Sequence, residues 1–517
     1  MDFKNTQTLS GKRVAQNTMF LYVRMLVLMF ISIYTSRIVL KCLGVDDYGI
    51  YNVVGGFVSM FALINAAMTT ATQRFLSYEM GKGNTERIST VFSTSVHIHI
   101  FLAIAILVAL ESFGLWFINN KMVFNEDRTV VVNVVFQLSA LSLLIKVIGL
   151  PYNAALIAYE RMSAFAYISI VEALLTLGAI FLIGIIPYDK LLLYATIIFI
   201  NSLLIQFVYI GYAKRKLMSC ASLQRPDRNI VKELLSFVGW NMIGSTAGII
   251  QEQGINVLLN VFYGPAVNAA SSLATQVRTA LSRFVTNFNL AVNPQIVKSY
   301  AMNEFETMNK FVIYSSKFSF LLMLVMAVPI LCCSDFILNL WLAEVPRYTG
   351  VFLNIVIITE LVDSLKNAHV TAVLATGKVK IYQMTIGLSS LLTIPLAYIF
   401  LRVFDTPEIA MVVALTMAVI CHFMRVIYLY YILKFPLKNY LLNVSFRMLL
   451  LALLSFWVGK RIKDFLFTSD TFICFIYTFC VILVVTTFFC LVVGMSRYER
   501  QYIFNLLKSK LHLFNGL

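Results

Sequence analysis

Residues 17–40 read NTMFLYVRMLVLMFISIYTSRIVL. An apolar run of this length crosses the hydrocarbon of a bilayer, which takes about 20 residues of helix, and it exceeds the short core of a secretory signal. Lys4, Lys12 and Arg13 precede it, so the run is expected to be a retained first span entered from the cytoplasmic side. Its composition is not uniform. Arg24 lies about seven residues inside the span, and at about 100° per residue Asn17, Arg24 and Thr35 share one narrow face. A polar stripe in hydrocarbon needs water or a ligand, because an unpartnered ionisable group there costs several kcal/mol.

Outward from this segment the pattern repeats. The chain has 517 residues, 60% of them hydrophobic and 13% charged, with a mean hydropathy of +0.82; soluble globular proteins carry about 25% charge. Apolar runs of spanning length fall near 17–40, 48–73, 92–118, 129–155, 161–186, 190–213 and 234–262. Others follow near 266–292, 311–341, 350–375, 380–402, 408–433, 441–459 and 471–495. The expected fold class is an all-α polytopic membrane protein with about 14 transmembrane helices. Extramembrane segments reach at most roughly 25 residues, too short for a soluble catalytic domain.

The net charge of +16 resides mainly in short loops, which is a topological signature and excludes nucleic acid as the partner. With the N-terminus inside, the inner segments carry about 22 Lys and Arg and the outer ones about 9, which puts both termini in the cytoplasm. The largest inner cluster is Lys214, Arg215, Lys216, Arg225, Arg228 and Lys232, in the one long central loop. Lys460, Arg461 and Lys463 break the rule, because the span count turns them outward. The tail from Arg497 to Leu513 alternates basic and apolar residues and reads as a helix lying on the cytoplasmic face.

Ser10–Leu102 can be laid on Ile230–Leu322 without a gap, with the apolar runs, a tight glycine turn and a polar loop in step. A repeat of this kind builds two pseudo-symmetric lobes around a central site. The expected organisation is a six-helix lobe at 1–220, a second at 221–436, and two additional helices with the tail at 437–517.

Charges inside spans are the best guide to function. Arg37, Arg278 and Arg283 join Arg24 as candidates for a positive field suited to a diphosphate, which guanidinium groups grip by paired hydrogen bonds. The alternative is that each pairs with an acid such as Glu252. Gln251, Gln253, Asn256 and Asn260 make the seventh span rich in amides, which either bind sugar hydroxyls or join helices. Glu360 and Asp363 are candidates for a coupling-ion site, or for pairs with Lys317 or Arg425. Arg74, Glu111 and Lys366 lie near span ends and are expected to snorkel. His97 and His99 point to different sides of one helix and are not a shared metal site. The chain holds no nucleotide-binding glycine loop or zinc motif, so neither an enzyme nor a cofactor is expected. The eight cysteines have no metal or disulfide spacing.

The stretch Arg37–Gly56, RIVLKCLGVDDYGIYNVVGG, and the stretch Gly149–Arg161, GLPYNAALIAYER, resemble the Wzx-type polysaccharide flippases. These belong to the multidrug/oligosaccharidyl-lipid/polysaccharide exporter superfamily and have the MATE-like fold. The resemblance implies two six-helix lobes that rock between inward-open and outward-open forms in a bacterial inner membrane. It implies as partner an undecaprenyl-diphosphate-linked oligosaccharide, with membrane lipids around it and a polysaccharide polymerase and chain-length regulator as associates. Arg24, Arg37, Arg278 and Arg283 would line a cationic lumen, with proton or sodium coupling. Competing expectations are a MATE-type drug or metabolite antiporter, a lipid II flippase, and a membrane-embedded polymerase. The excess of arginine over carboxylate in the first, second and eighth spans speaks against the antiporter.

Overall fold

The computed structural model describes residues 16–501, except 32–34, 36–37, 40–41, 44–46, 48–49, 52–53, 56–57, 59–61, 122–125, 184–185, 264, 343–344, 468–470 and 498. Arg37 and the tail beyond Gln501 lie outside the described residues, as does much of the first resemblance motif. Every element among the described residues is helical. Nine of these helices are long and apolar enough to cross a membrane. Two compact units divide the chain between Met242 and Ile243.

The first unit contains α1 (Gln16–Ile31), α2 (Ala62–Lys82), α3 (Thr85–Ala109), α4 (Thr129–Ala158), α5 (Met162–Ile183), α6 (Lys190–Lys216) and the start of α7 (Arg228–Tyr263). A π-helical turn at Leu110–Gly114 carries α3 on into Leu115–Lys121. Its interior is apolar, with Val132, Phe136, Val147 and Ile180 fully buried. Phe101, Val130 and Phe207 stay largely exposed, which for a membrane helix is the lipid-facing side.

Described residues of both resemblance motifs bind helices of this unit together. Asp47 from the first motif bonds Arg128, which also grips Asp189. Asp189 in turn caps α6, its Oδ1 accepting the Leu192 amide at 2.9 Å. Burial opposes ionisation of Asp189, but the Leu192 amide and the Arg128 guanidinium outweigh it and hold the carboxyl below its usual range. In the second motif Gly149 allows a close approach: a Cβ there would lie 2.0 Å from Gln206 Oε1. Tyr152 meets Phe92 edge to face at 5.1 Å.

The opposite end of this unit is tied by the central loop. Thr90 donates to Gln224 at 2.8 Å, and the amides of Gln224 and Asp227 donate to Ser93 and Thr94 at 2.9 and 3.1 Å. Cys220 is fully buried in this loop, and burial pushes its thiol up to about 12. The alternation of loops expected from the span count therefore holds within the unit. Loops at 47, 128 and 189 meet at one end, and those at 90, 159 and 219–227 meet at the other.

The second unit contains the rest of α7, then α8 (Pro265–Ala301), α9 (Phe305–Cys332), α10 (Ser334–Trp341), α11 (Thr349–Ser364), α12 (Lys366–Thr376), α13 (Val379–Leu391), α14 (Thr393–Phe404) and α15 (Glu408–Leu433). The two additional spans are α16 (Leu437–Leu466) and α17 (Phe472–Gly494). The expected span at 350–375 is broken at Leu365 into α11 and α12. Helix α9 is the hub: 61% of its most apolar window is buried, against 22–39% in the other candidate spans. The additional spans pack on it through small residues, a Cβ at Gly494 falling 2.7 Å from Leu321 and one at Gly459 3.0 Å from Cys332.

The internal repeat is visible in the turns. Gly83 and Asn303, 220 positions apart, both adopt left-handed backbone (φ 71° and 60°). Their amides bond the carbonyls of Met80 and Tyr300 at 3.1 and 3.0 Å, and the next amides, of Asn84 and Glu304, bond Glu79 and Ser299. This is the same helix-ending turn built twice. Glycine is favoured in it because it lacks the Cβ that disfavours positive φ, and asparagine is the common substitute. Lys460, Arg461 and Lys463 lie in the last turns of α16, and Phe467 just beyond packs on Phe336 of α10 at 5.7 Å. The exception to the charge rule is thus retained at the end of the unit where α10 lies.

Candidate functional site

The second unit encloses a cavity of about 490 Å³. Helix α8 supplies one wall through Ser271, Thr275, Arg278, Ser282 and Thr286. These positions recur at four and three residues and so form one helical face. Helix α7 adds Gln251, Glu252 and Asn256; α11 adds Thr359, Glu360 and Asp363; α12 begins with Lys366 and Asn367; α15 contributes Cys421 and Arg425. Hydroxyls and amides suit neutral polar groups, while four of the six charges form two ion pairs. Arg278 Nη2 lies 2.6 Å from Glu252 Oε1, and Lys366 Nζ 2.6 Å from Asp363 Oδ2. Glu360 accepts a hydrogen bond from Ser282. Arg425 donates from Nε to the Tyr382 hydroxyl at 3.3 Å.

Of the residues expected from sequence, this cavity unites Gln251, Asn256, Arg278, Glu360 and Asp363. Asn256 spends its carbonyl on Ser271 Oγ at 3.1 Å, so it also joins α7 to α8. Gln253 is exposed on another face of α7, and Arg283 is exposed on α8 away from the lining. The helical period separates Arg283 from Arg278 by five residues, about 140° around the axis. Asn17 and Arg24 belong to the first unit. Asn17 is buried; the Arg24 guanidinium stacks over Phe165 at 4.5 Å, and its Nε is buried without a hydrogen-bond partner among the described residues. Asn260 lies in α7, but its side chain is outside the described set.

Two expectations are corrected. Arg74 does not snorkel: it is buried, with its guanidinium 4.6 Å from the Phe75 ring, 4.9 Å from Tyr78 and 5.5 Å from Phe237. Aromatic faces stabilise a cation where no water reaches it. Lys317 does not pair with Glu360 or Asp363, because it bonds Glu499 at 2.6 Å. The cavity of the second unit carries charge of both signs, Arg278, Lys366 and Arg425 beside Glu252, Glu360 and Asp363. The hydroxyl stripe on α8 was legible in its spacing but is easily read as packing, since Ser and Thr are common in helix contacts.

A helical, multi-pass membrane protein made of two repeated units, with a polar cavity inside its second unit, is of the transporter class. The MatE family profile matches residues 21–182 and 252–399, more than half of the chain and once in each half. The chain belongs to the MatE family, whose members are transporters and not enzymes. Among solved structures it is similar to a mutant of the Vibrio cholerae MATE transporter VcmN, at 18% identity and a TM-score of 0.72, covering 84% of this chain and 99% of that one. It is also similar to a multidrug resistance MATE family transporter of the MOP superfamily in an outward-facing conformation, at 12% identity and a TM-score of 0.70, over 85% and 99%. A third likeness is to a MATE in complex with MaL6, at 13% identity and a TM-score of 0.69, over 85% and 100%. At such identities the likeness is one of fold. No curated protein sequence matches the chain.

Proposed function

We propose that this transporter is a flippase that carries the head group of an undecaprenyl-diphosphate-linked oligosaccharide from the cytoplasmic to the outer leaflet of a bacterial inner membrane, for surface polysaccharide synthesis. The observation that carries this reading is the α8 wall, where Arg278 stands within a stripe of hydroxyls and opposite the amides of Gln251 and Asn256. Sugars are recognised by dense hydroxyl and amide hydrogen bonding, and a diphosphate by guanidinium. The volume is of the size of small-ligand sites, which run from about 300 to 1,000 Å³. Binding would exchange one anion for another, the diphosphate taking Arg278 from Glu252 and releasing that carboxylate. Alternating access then delivers the head group outward while the lipid tail stays in the bilayer.

The experiment is a deletion strain complemented with variants, scored by the lipid-linked oligosaccharide that accumulates on the cytoplasmic leaflet. Arg278→Glu is expected to reduce export at least about tenfold, equivalent to losing about 1.4 kcal/mol at the site, whereas Glu252→Gln retains export. Full export with Arg278→Glu would reject the clamp. A second reading, a cation-coupled drug or metabolite antiporter, is favoured by Glu360, which is held by a hydroxyl on the cavity wall. Drug resistance conferred by the wild-type chain, with no saccharide accumulating in its absence, would select it.

A further inference from the structure

Two histidines of the second unit stand behind the cavity wall. His369 on α12 is fully buried, His422 on α15 is 4% exposed, and their ring centroids are 5.7 Å apart. A neutral imidazole carries one N–H donor and one acceptor. Neither ring nitrogen of His369 has a hydrogen-bond partner among the described residues, nor does Nδ1 of His422. Nε2 of His422 faces Ser445 Oγ at 3.4 Å. In His97 and His99 of the first unit Nδ1 contacts the carbonyl one turn back, at Ser93 and Ser95, at 2.7 Å, so that of the buried His99 only Nε2 is without a partner among the described residues. At His369 the corresponding carbonyl, that of Leu365, accepts the Ser316 hydroxyl at 3.0 Å. Buried polar groups are nearly always satisfied, so two adjoining imidazoles with unused nitrogens point to an occupant.

The surroundings favour a proton over a metal ion. No cluster of three His, Cys, Asp or Glu occurs among the described residues. Tyr440 stands edge-on to His369 at 4.9 Å, with its hydroxyl on Ser316 at 2.6 Å. Phe435 closes another side at 6.1 Å. Arg425, one turn beyond His422, is bonded to Tyr382 of α13, and Asp363 of α11 is bonded to Lys366 at the start of α12. On α9, Lys317 is committed to Glu499. Arg425 therefore opposes an added proton at either ring and Asp363 favours one at His422, and both line the cavity. Each histidine is within one helical turn of a cavity-lining residue on its own helix, and the break at Leu365 separates α12 from the carboxylates of α11.

We propose that His369 and His422 together bind the proton that couples transport to a proton gradient, with the cavity carboxylates left to the cargo. The coupling rests on the transport reading above, but not on the identity of the cargo. Nitrogen-15 histidine spectra of the wild-type protein in nanodiscs test it directly. The chain has five histidines, and His369→Gln and His422→Gln assign the pair. The expected result is that both signals change together as one proton is taken up between about pH 5 and 8. Both rings remaining neutral across that range would overturn the proposal. In proteoliposomes, wild-type flux is expected to change at least about fivefold between about pH 6 and 8, and the double Gln variant to show a ratio near one while still binding cargo. Unchanged pH dependence in a folded double variant also overturns it. Proton uptake by the pair in a protein that moves no lipid-linked saccharide would instead reject the cargo assignment and leave the pair in place.

Discussion

The two units share a repeated helix-ending turn and differ in where they keep charge. In the first, the strong ion pairs among the described residues sit at helix ends, Arg128 with Asp47 and Asp189, and Arg87 with Glu79 at 3.4 Å. The pair within its spans, Lys146 with Glu172, is loose at 3.9 Å and largely exposed. Its core is held by close apolar packing. The second unit sets Arg278–Glu252 and Lys366–Asp363 on its cavity wall and buries Lys317–Glu499 away from it, at 2.6 Å each. Ion pairs in hydrocarbon add little net stability and cost much when half is removed. Such pairs around a cavity are therefore better explained by what the cavity handles than by the fold.

The largest test of this contrast is Lys317→Ala, which leaves the Glu499 carboxylate buried with the Ser496 amide but no counter-charge; a loss of about 3 kcal/mol is expected. The pair Lys317→Met with Glu499→Leu should recover most of it, measured by thermal unfolding of the purified protein. If the single change were harmless, the second unit would not depend on its buried charges. Next is Gly149→Ala in the first unit, where the new Cβ meets the end of the Gln206 side chain and turns it aside; a cost of about 1 kcal/mol is expected, with transport in surviving protein unaltered. A neutral result would show that this core is looser than its geometry implies.

The smallest effect concerns Asp189. Its carboxyl is held below the usual range, so its contribution is present above the unfolded value of about 3.9 and lost as pH falls through the lower folded value. Asp189→Asn should lower stability at neutral pH by about 1 kcal/mol or less, read as a small fall in the thermal midpoint. That difference from wild type should vanish in strong acid. A gap that persisted there would assign the loss to packing, not to the Arg128 bond.

The amino-acid sequence by itself determined the solvent, the all-helical class and the two-unit repeat. Each follows from run length and helical period, which are local properties of the chain. It also marked Gln251, Asn256, Arg278, Glu360 and Asp363, because polar groups stand out against hydrocarbon. What it left undecided was partnership. Arg283 and Gln253 carry the same chemistry as their neighbours and do not line this cavity, since a rotation of a hundred degrees or so about a helix carries a side chain to another face. Arg74 found aromatic rings, Lys317 found a carboxylate beyond the last span, and two distant histidines came together. Those pairings depend on which helices touch and at what rotation, and tertiary packing alone decides that.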